Sequence, residues 1–307
     1  MVTEKTSQRK TISKTSLILI GAILIVGAIL AFVFSDQIAS FVTFNRSSTE
    51  QTSVTENTGV TSGQTDNSTN QRVAFPQPLS IEIGDSHSCA VRVNKTFCWG
   101  NGGNGRLGTG SVAASFTPAA VAAADTQTEG SALAGVKGVS SGEAHSCALR
   151  GSNQVVCWGN GGHGRLGTGS VAASFTPVTV VAPKDQAATS RFLEDVVQVS
   201  AGAEHTCAVT KDGEAVCWGN GGNGRLGKGG VGNSFVPVKV LAVDGSSQSR
   251  NFLTGVQQIA TGDAHSCALL ENGQAVCWGS GGNGRLGTGS VQTSFVPVLV
   301  DESDSTW

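Results

Sequence analysis

The sequence has no tyrosine, only one methionine and few charged side chains, which make up 14% of its 307 residues. It also lacks a basic excess. Its net charge is −2, so no surplus of lysine and arginine is available to neutralise the phosphates of a nucleic acid, and we expect no such partner. Glycine is abundant instead, at 42 residues. Few charges, many glycines and short apolar runs are typical of an all-β fold with tight turns.

The longest apolar run lies near the N-terminus. Leu17 to Phe34 are 18 consecutive uncharged residues, which would span about 27 Å as a helix and so match the core of a bilayer. Four basic residues and one acidic residue precede this run. The positive-inside rule then predicts a single-pass protein of the cell membrane, with a cytoplasmic tail over 1–16 and a transmembrane signal-anchor helix over 17–35. A cleaved signal peptide is the alternative, although its apolar region is usually shorter.

The segment that follows, residues 36–72, is rich in Ser, Thr, Asn, Gln and Gly. From residue 46 it has almost no large apolar side chain, so it cannot bury enough surface to offset the entropy of ordering. We predict a disordered Ser/Thr-rich linker that carries the rest of the chain on the extracytoplasmic side.

Residues 73–307 form a repeat domain. His87, His145, His205 and His265 recur at nearly constant spacing in the blocks GDSHSCAV, GEAHSCAL, GAEHTCAV and GDAHSCAL. Each block is followed by a CWG motif, then by NGGNGRLG or a close variant, and then by SFTP or SFVP. The repeats cover about residues 80–137, 138–196, 197–255 and 256–307. A fixed period of this length predicts stacked structural units.

Each repeat predicts four strands. The third copy predicts them over 196–201, 205–210, 214–218 and 234–240, as runs of Val, Cys, Trp and Phe bounded by Gly, Asn and Asp. Four antiparallel strands per repeat, several repeats and no helical period together predict an all-β fold, a β-propeller of four-stranded blades.

The block GAEHTCAV and the segment AVCWGNGGNGRLG resemble the repeat of the RCC1 (regulator of chromosome condensation) family, over about residues 80–300. With its N-terminal anchor, the chain resembles a bacterial-type, membrane-anchored member of that family. The resemblance implies a propeller that usually has seven blades. Four repeats leave closure open between a four-blade ring, an open arc and two chains that share one ring. Phe75-Pro76-Gln77-Pro78 resembles a shortened SFxP strand and is a candidate closing strand.

All eight cysteines lie within the repeats. In the third copy, a three-residue hairpin loop at 211–213 places Cys207 directly across from Cys217. The same count applies to the other copies, with a two-residue loop at 93–94 in the first. The predicted pairs are Cys89–Cys98, Cys147–Cys157, Cys207–Cys217 and Cys267–Cys277. Opposed antiparallel residues lie within disulfide reach, and an extracytoplasmic location lets such bonds persist. Reduced core thiols and zinc ligation are the alternatives, and the missing CxxC spacing disfavours zinc.

Several motifs invite a chemical interpretation. Gly103–Gly108 and its three equivalents match GxGxxG, but no βαβ context surrounds them, so we predict tight loops whose leucine packs underneath. The repeat histidines are interpreted as buried structural groups, as the family resemblance implies, with a ring of metal ligands as the alternative. The repeat tryptophans are assigned to packing between blades. No nucleophile, base and acid set is visible, so we predict no catalytic residue, no metal and no cofactor.

The repeat arginines are the candidates for a binding surface. In a ring they would form a positive rim at one edge of all the blades, and local salt bridges to Asp85, Glu143, Glu204 or Asp263 are the alternative. The four positions are Arg106, Arg165, Arg225 and Arg285. The segments 119–135, 180–195 and 241–255 vary most between repeats and are candidate binding loops.

These observations predict a membrane-tethered, extracytoplasmic propeller that binds a protein or an envelope macromolecule and is not an enzyme. A homodimer is one way to close its ring. The family resemblance also implies nucleotide exchange on a small GTPase, but the predicted topology separates the repeats from the cytosol. An enzyme acting on envelope glycans and a purely adhesive surface protein are the further alternatives.

Overall fold

Four copies of one antiparallel sheet make up the repeat domain. A computed structural model of the chain describes residues 80–123, 131–183, 190–243 and 251–301. Each sheet has four strands in chain order, and we call each sheet a blade. Blades 1 and 2 comprise β1–β8, over Ser80–Ile83, His87–Arg92, Lys95–Gly100, Ser115–Ala120, Val136–Ser141, His145–Arg150, Val155–Gly159 and Ser174–Thr179. Blades 3 and 4 comprise β9–β16, over Val196–Ala201, His205–Thr210, Ala215–Gly219, Ser234–Lys239, Val256–Thr261, His265–Leu270, Ala275–Gly279 and Ser294–Leu299.

The predicted all-β architecture and four-stranded blades are confirmed. In blade 3, β11 is shifted by one residue from the prediction and β12 ends one residue earlier. Because neighbouring strands are antiparallel, every blade has two edges. The histidine edge carries the turn before each repeat histidine and a 3-10 turn such as Gly103–Gly105. The hairpin edge carries the turns between the second and third strands, together with the connections to the next blade.

The hairpin turns fix the strand registers. Val93 and Asn94 take positive φ angles of 47° and 58°, and Asn153 and Gly213 take 62° and 72°, as tight hairpin loops require. Cys207 lies directly opposite Cys217, and the other three cysteine pairs are aligned in the same way. The predicted registers are therefore confirmed. The structure places the sulfur atoms of all four pairs at disulfide distance, with Cα atoms 4.0–4.1 Å apart.

The hydrophobic core lies between consecutive blades as well as within them. Trp158 of blade 2 packs into a cluster with Cys89 and Leu107 of blade 1, and Trp218 and Trp278 do the same one and two blades further on. The leucine of each GRLG segment is almost fully buried, as predicted for a loop that covers its own blade. Because blades 2, 3 and 4 each bury their tryptophan against the preceding blade, the blades depend on one another for stability.

One glycine per blade lets the blades approach closely at the histidine edge. A Cβ atom added to Gly202 would collide with the carbonyl oxygen of Gly262 and with the ring of its own His205. A Cβ atom added to Gly84 or Gly142 would likewise collide with a carbonyl oxygen of the next blade and with the ring of the histidine that follows in the same blade. The glycines before the first three repeat histidines are therefore required by the packing of backbone on backbone.

Replacing Gly202 with alanine is expected to lower the free energy of unfolding by about 1–3 kcal/mol, because the carbonyl of Gly262 belongs to the hydrogen-bonded turn between β13 and β14 and cannot easily move. Urea denaturation of the purified chain measures the change. Gly232→Ala is the matched control: the nearest atom to its added Cβ is the Lys228 Nζ, 3.5 Å away at the end of a flexible side chain. Equal stabilities of the two variants would contradict the packing argument.

The blades form an open series rather than a closed ring. Gly84, Gly142 and Gly202 each face the next blade, whereas Gly262 in blade 4 meets only the ring of its own His265 among the described residues. Side-chain exposure supports the same conclusion, because Ile81 in β1 is 65% exposed while its counterparts Val139 and Ile259 are buried and Val199 is half-buried. The closed four-blade ring is thus not observed.

The predicted transmembrane helix, the linker and the candidate closing strand at 75–78 all lie outside the described residues. Within the part of the chain that the structure describes, no helix is long and apolar enough to cross a membrane.

Candidate functional site

The repeat histidines lie at the contacts between blades, which we call the blade joints. His87 Nε2 is 2.7 Å from the Ser146 hydroxyl, and the equivalent bonds join His145 to Thr206 at 2.9 Å and His205 to Ser266 at 2.8 Å. Each hydroxyl in turn donates to the carbonyl oxygen of the preceding blade's repeat arginine. The hydroxyl proton is therefore committed, so the histidine must donate from Nε2.

This arrangement keeps the histidines neutral. Their Nδ1 atoms are buried and have no hydrogen-bond partner among the described residues. Burial and the nearby Arg106 lower the pKa of His87 to about 4, and burial together with Arg225 lowers the pKa of His205 to about 3. The pKa of His145, which is fully buried, is also held well below 6.5. These features agree with the structural interpretation of the histidines.

The repeat tryptophans complete the joints. The indole nitrogen of Trp158 donates to the Arg106 carbonyl oxygen at 2.9 Å, and Trp218 and Trp278 make the same bond to the preceding blade. All three are fully buried. Their predicted role in packing between blades is confirmed.

The repeat arginines lie beside the joints instead of standing free in solvent. Arg165 donates through Nε to the Gly162 carbonyl and through an Nη to the Ala203 carbonyl of the next blade, and its side chain also pairs with Glu204 at 3.3 Å. Arg165 and Arg225 are only 4% and 7% exposed, while Arg106 and Arg285 are half-buried. Burial is the main cause that lowers the pKa of both Arg165 and Arg225. A binding role for the four arginines stays a prediction, and the local contacts with Glu204 are the ones that the sequence allowed as the alternative.

A cavity of about 710 Å³ opens where the first strands of the four blades end. Its wall consists of the turns before the repeat histidines, over 83–85, 141–143, 201–204 and 261–264, together with Arg225. The wall contains the carboxylates Asp85, Glu143, Glu204 and Asp263. Glu204 pairs with Arg165, and the other three are exposed, so the mouth of the cavity is acidic.

A row of exposed valines lies on the same histidine edge, in the loops between the 3-10 turns and the fourth strands. Val112 and Val171 are each 54% exposed, and Val231 and Val291 are 55% and 69% exposed. One apolar side chain per blade therefore faces solvent on the edge that also carries the acidic cavity.

Sequence reasoning missed both the valine row and the acidic mouth. A signal was present, because the valines follow the repeat period and Asp85, Glu143 and Asp263 share one position in the turn before the histidine. Nothing in the local pattern told an exposed valine from a buried one. The predicted binding loops lie on the opposite hairpin edge, and their central residues, 124–130, 184–189 and 244–250, are outside the described ranges.

The eight cysteines are paired within blades, so none of them is placed to hold a metal. In the described ranges no group of three His, Cys, Asp or Glu side chains is arranged to bind a metal ion. The 3-10 turns formed by the GxGxxG segments are followed by strands, so they do not have the helix that a dinucleotide site needs.

Comparison with known proteins identifies a repeat family and several relatives. The regulator of chromosome condensation (RCC1) repeat matches residues 94–149, 152–209, 212–269 and 272–306. Over 224 residues the chain is 33% identical to the ultraviolet-B receptor UVR8 of Arabidopsis thaliana, covering 72% of this chain and 46% of UVR8. It is 30% identical over 226 residues to the human E3 ubiquitin-protein ligase HERC2, covering 73% of this chain and 4% of HERC2. The chain thus spans less than half the length of these relatives.

Two solved structures share the fold. Human WBSCR16 aligns with a TM-score of 0.58 and 23% identity, over 75% of this chain and 55% of that one. Yeast RCC1 (Prp20) bound to Kap60 aligns with a TM-score of 0.55 and 22% identity, over 75% and 49% of the two chains. The family match covers well over half of the chain, and each of its first three repeats runs from the third strand of one blade to the second strand of the next. The chain therefore belongs to the regulator of chromosome condensation (RCC1) repeat family.

Proposed function

We propose that this chain is a membrane-anchored, bacterial-type RCC1-repeat protein that binds another protein through the histidine edge of its extracytoplasmic blades. The observation that carries the proposal is that the four exposed valines and the acidic cavity lie on the same edge of the blades. Exposed apolar side chains surrounded by polar residues are typical of protein-binding surfaces. A partner segment that combines apolar side chains with lysine or arginine fits this surface best.

The repetition of the site supports binding rather than catalysis. An active site needs one constellation of an acid, a base and a nucleophile in a defined geometry. Here each blade presents nearly the same groups, and the buried histidines are held by the blade joints, where a substrate could not reach them. The predicted absence of enzymatic activity stays a prediction.

The anchor is supported by the sequence alone. The apolar run and the preceding basic residues favour a cytoplasmic N-terminus and an extracytoplasmic repeat domain. Four cysteine pairs at disulfide distance support the same location, because such bonds persist in an oxidising compartment. Protease treatment of intact cells expressing the full chain is expected to remove the blades, and their complete survival would contradict this topology.

Replacing all four edge valines with serine is expected to weaken capture of a partner from envelope extract at least ten-fold, because the apolar contact area is lost. The full chain in detergent serves as bait, and quantitative mass spectrometry measures what it retains. The matched control changes one hairpin-edge residue per blade, as Val93→Ser, Ser152→Ala, Asp212→Ser and Glu271→Ser.

We expect the control to capture the same proteins as the unchanged chain. Equal capture by the valine variant would contradict recognition through the histidine edge. Acceleration of nucleotide release from a small GTPase by the full chain would favour the exchange-factor alternative. Hydrolysis of envelope glycans would instead favour the enzyme.

A further inference from the structure

The two ends of the blade series carry the two halves of a blade joint. Each internal joint has a donor face on one blade and an acceptor face on the next. The face that we call the donor face is named for its histidine, which donates from Nε2, and it also supplies the arginine carbonyl, the arginine guanidinium and a glycine N–H. The face that we call the acceptor face is named for the Ser or Thr hydroxyl that accepts from the histidine, and it also supplies the tryptophan and the phenylalanine of the fourth strand. Three copies of this joint are seen within the chain, between blades 1 and 2, 2 and 3, and 3 and 4.

Blade 4 presents a donor face that no described residue covers. His265 is only partly buried, and no described residue bonds either of its ring nitrogens, whereas His145 and His205 are fully buried and bonded through Nε2. Arg285 bonds the carbonyl of Gly282 in its own turn, as the other arginines do, but makes no bond to a following blade in the described ranges. A Cβ atom added to Gly284 would meet no described residue, whereas a Cβ atom added to the equivalent Gly224 would meet Phe295.

Blade 1 presents the matching acceptor face. Trp99 is half-buried, and its indole nitrogen has no acceptor among the described residues, whereas the three other repeat tryptophans are fully buried and bonded. Phe116 is 97% exposed, against 43–44% for its equivalents at 175, 235 and 295. Ile81 and Ile83, on the first strand, are also largely exposed.

We propose that blade 4 of one copy of this chain binds blade 1 of a second copy, and that two such joints close a ring of eight blades. By equivalence with the internal joints, Trp99 donates to the Arg285 carbonyl of the second copy, and His265 of that copy donates to Ser88. Phe116 covers Gly284, and its carbonyl accepts the Gly289 N–H, as the Phe175 carbonyl accepts from Gly110 at 2.8 Å. The Arg285 guanidinium donates to the Asp85 carbonyl, as Arg225 donates to Asp263.

A second copy fits better than other occupants for two reasons. Both faces are halves of one interface, so the partner needs the donor face that this chain itself presents, and the new joint continues an interface already seen three times. In addition, the chain aligns with 49–55% of the length of the solved structures of the same fold, so two copies supply about one full ring. Eight blades lie within the range that propellers adopt. The proposal does not depend on the proposed function, since it concerns faces between blades and not the histidine edge.

The mass of the oxidised full chain in detergent tests this proposal, measured by native mass spectrometry and by light scattering after size exclusion. We expect two copies per particle. Phe116→Asp places a charge in both joints of the ring and is expected to raise the dissociation constant at least about 100-fold, giving single copies with an unchanged circular dichroism spectrum. The matched control is Val93→Asp, an exposed apolar residue of the same blade on the hairpin edge, which should remain paired.

A second variant tests the same joint from the opposite face, in case Phe116→Asp does not fold. His265→Ala removes the donor from the opposite face and should also give single copies, because both faces are needed. A single-copy mass for the unchanged chain at tens of micromolar would overturn the proposal, since another segment or another protein would then cover the faces. Open-ended oligomers would overturn the closed pair, and so would a Phe116→Asp variant that stays paired.

Discussion

Acidification from pH 7 to pH 4 is expected to unfold the blades, with a loss of stability on the order of 4 kcal/mol for each pH unit below about 6.5. Three buried histidines drive the effect, because the pKa of His87 is lowered to about 4, that of His205 to about 3, and that of His145 well below 6.5. Each group that is protonated only in the unfolded chain contributes about 1.4 kcal/mol per pH unit. Domains of this kind are stabilised by about 5–15 kcal/mol in total, so a few pH units suffice.

Stability falls on acidification because the unfolded chain binds more protons than the folded chain. Between pH 6.5 and 4 an unfolded chain protonates these imidazoles, whereas the folded chain holds them neutral, so the unfolded state gains protons and stability falls with pH. The folded state cannot accept the proton easily, because Nδ1 is buried without a hydrogen-bond acceptor and Nε2 already donates to a hydroxyl. Glu82, whose pKa is raised by burial, acts in the opposite direction, but it is one group against three.

Urea denaturation at a series of pH values measures the slope. His205→Gln removes one of the three titrating groups and should reduce the slope by about one third between pH 6.5 and 4, whatever its effect on stability at pH 7. The change in slope separates a titrating role from a merely packed side chain. Stability that is constant or rises on acidification through this range would show that the histidines are not held neutral by the fold.

Reduction of the four cysteine pairs is the second change with a large expected effect. Each bond closes a loop of about ten residues and stabilises the fold by about 2–3 kcal/mol on the loop-entropy estimate, so four bonds together approach the whole stability of a domain. The sulfurs lie in the cores of the blades, where Cys89, Cys98, Cys147 and Cys157 are fully buried. We expect the oxidised chain to stay folded at 37 °C and the reduced chain to lose most of its sheet signal.

Alkylation under denaturing conditions, followed by mass spectrometry, counts the free thiols. We expect none without reductant and eight after reduction. The double variant Cys207→Ala with Cys217→Ala isolates one pair and should lose about 2–3 kcal/mol in urea denaturation. Eight alkylated thiols in the unreduced chain would establish the cysteines as reduced core groups, the alternative that the sequence left open.

Much of the blade could be predicted because the relevant geometry is local. The register of Cys207 against Cys217 depends on the length of one hairpin loop and on Gly213 taking a positive φ angle, and both are readable within ten residues. The four-strand blade and the burial of the GRLG leucines follow from the same short-range patterns. The open series of blades was one of three alternatives that the repeat count allowed.

The candidate site was predicted less well. The arginines were expected at a free edge, but Arg165 and Arg225 are buried against the next blade, where they donate hydrogen bonds to the carbonyl oxygens of Ala203 and Asp263. The valine row was not recognised, since a valine in a Gly/Ser loop has the same local pattern whether or not another element covers it.

By itself, therefore, the sequence determined the repeat, the strands, the cysteine pairs and the family resemblance, all of which depend on contacts between residues close together in the chain. Only the tertiary structure decided what each repeated residue faces. His265, Arg285 and Trp99 belong to nearly the same motifs as their buried equivalents, yet they lie at the two ends of the series, where no described residue supplies the neighbouring blade. Equal local sequences meet different surroundings there, because the partner of each joint lies a whole repeat away and the end blades have a joint on one side alone.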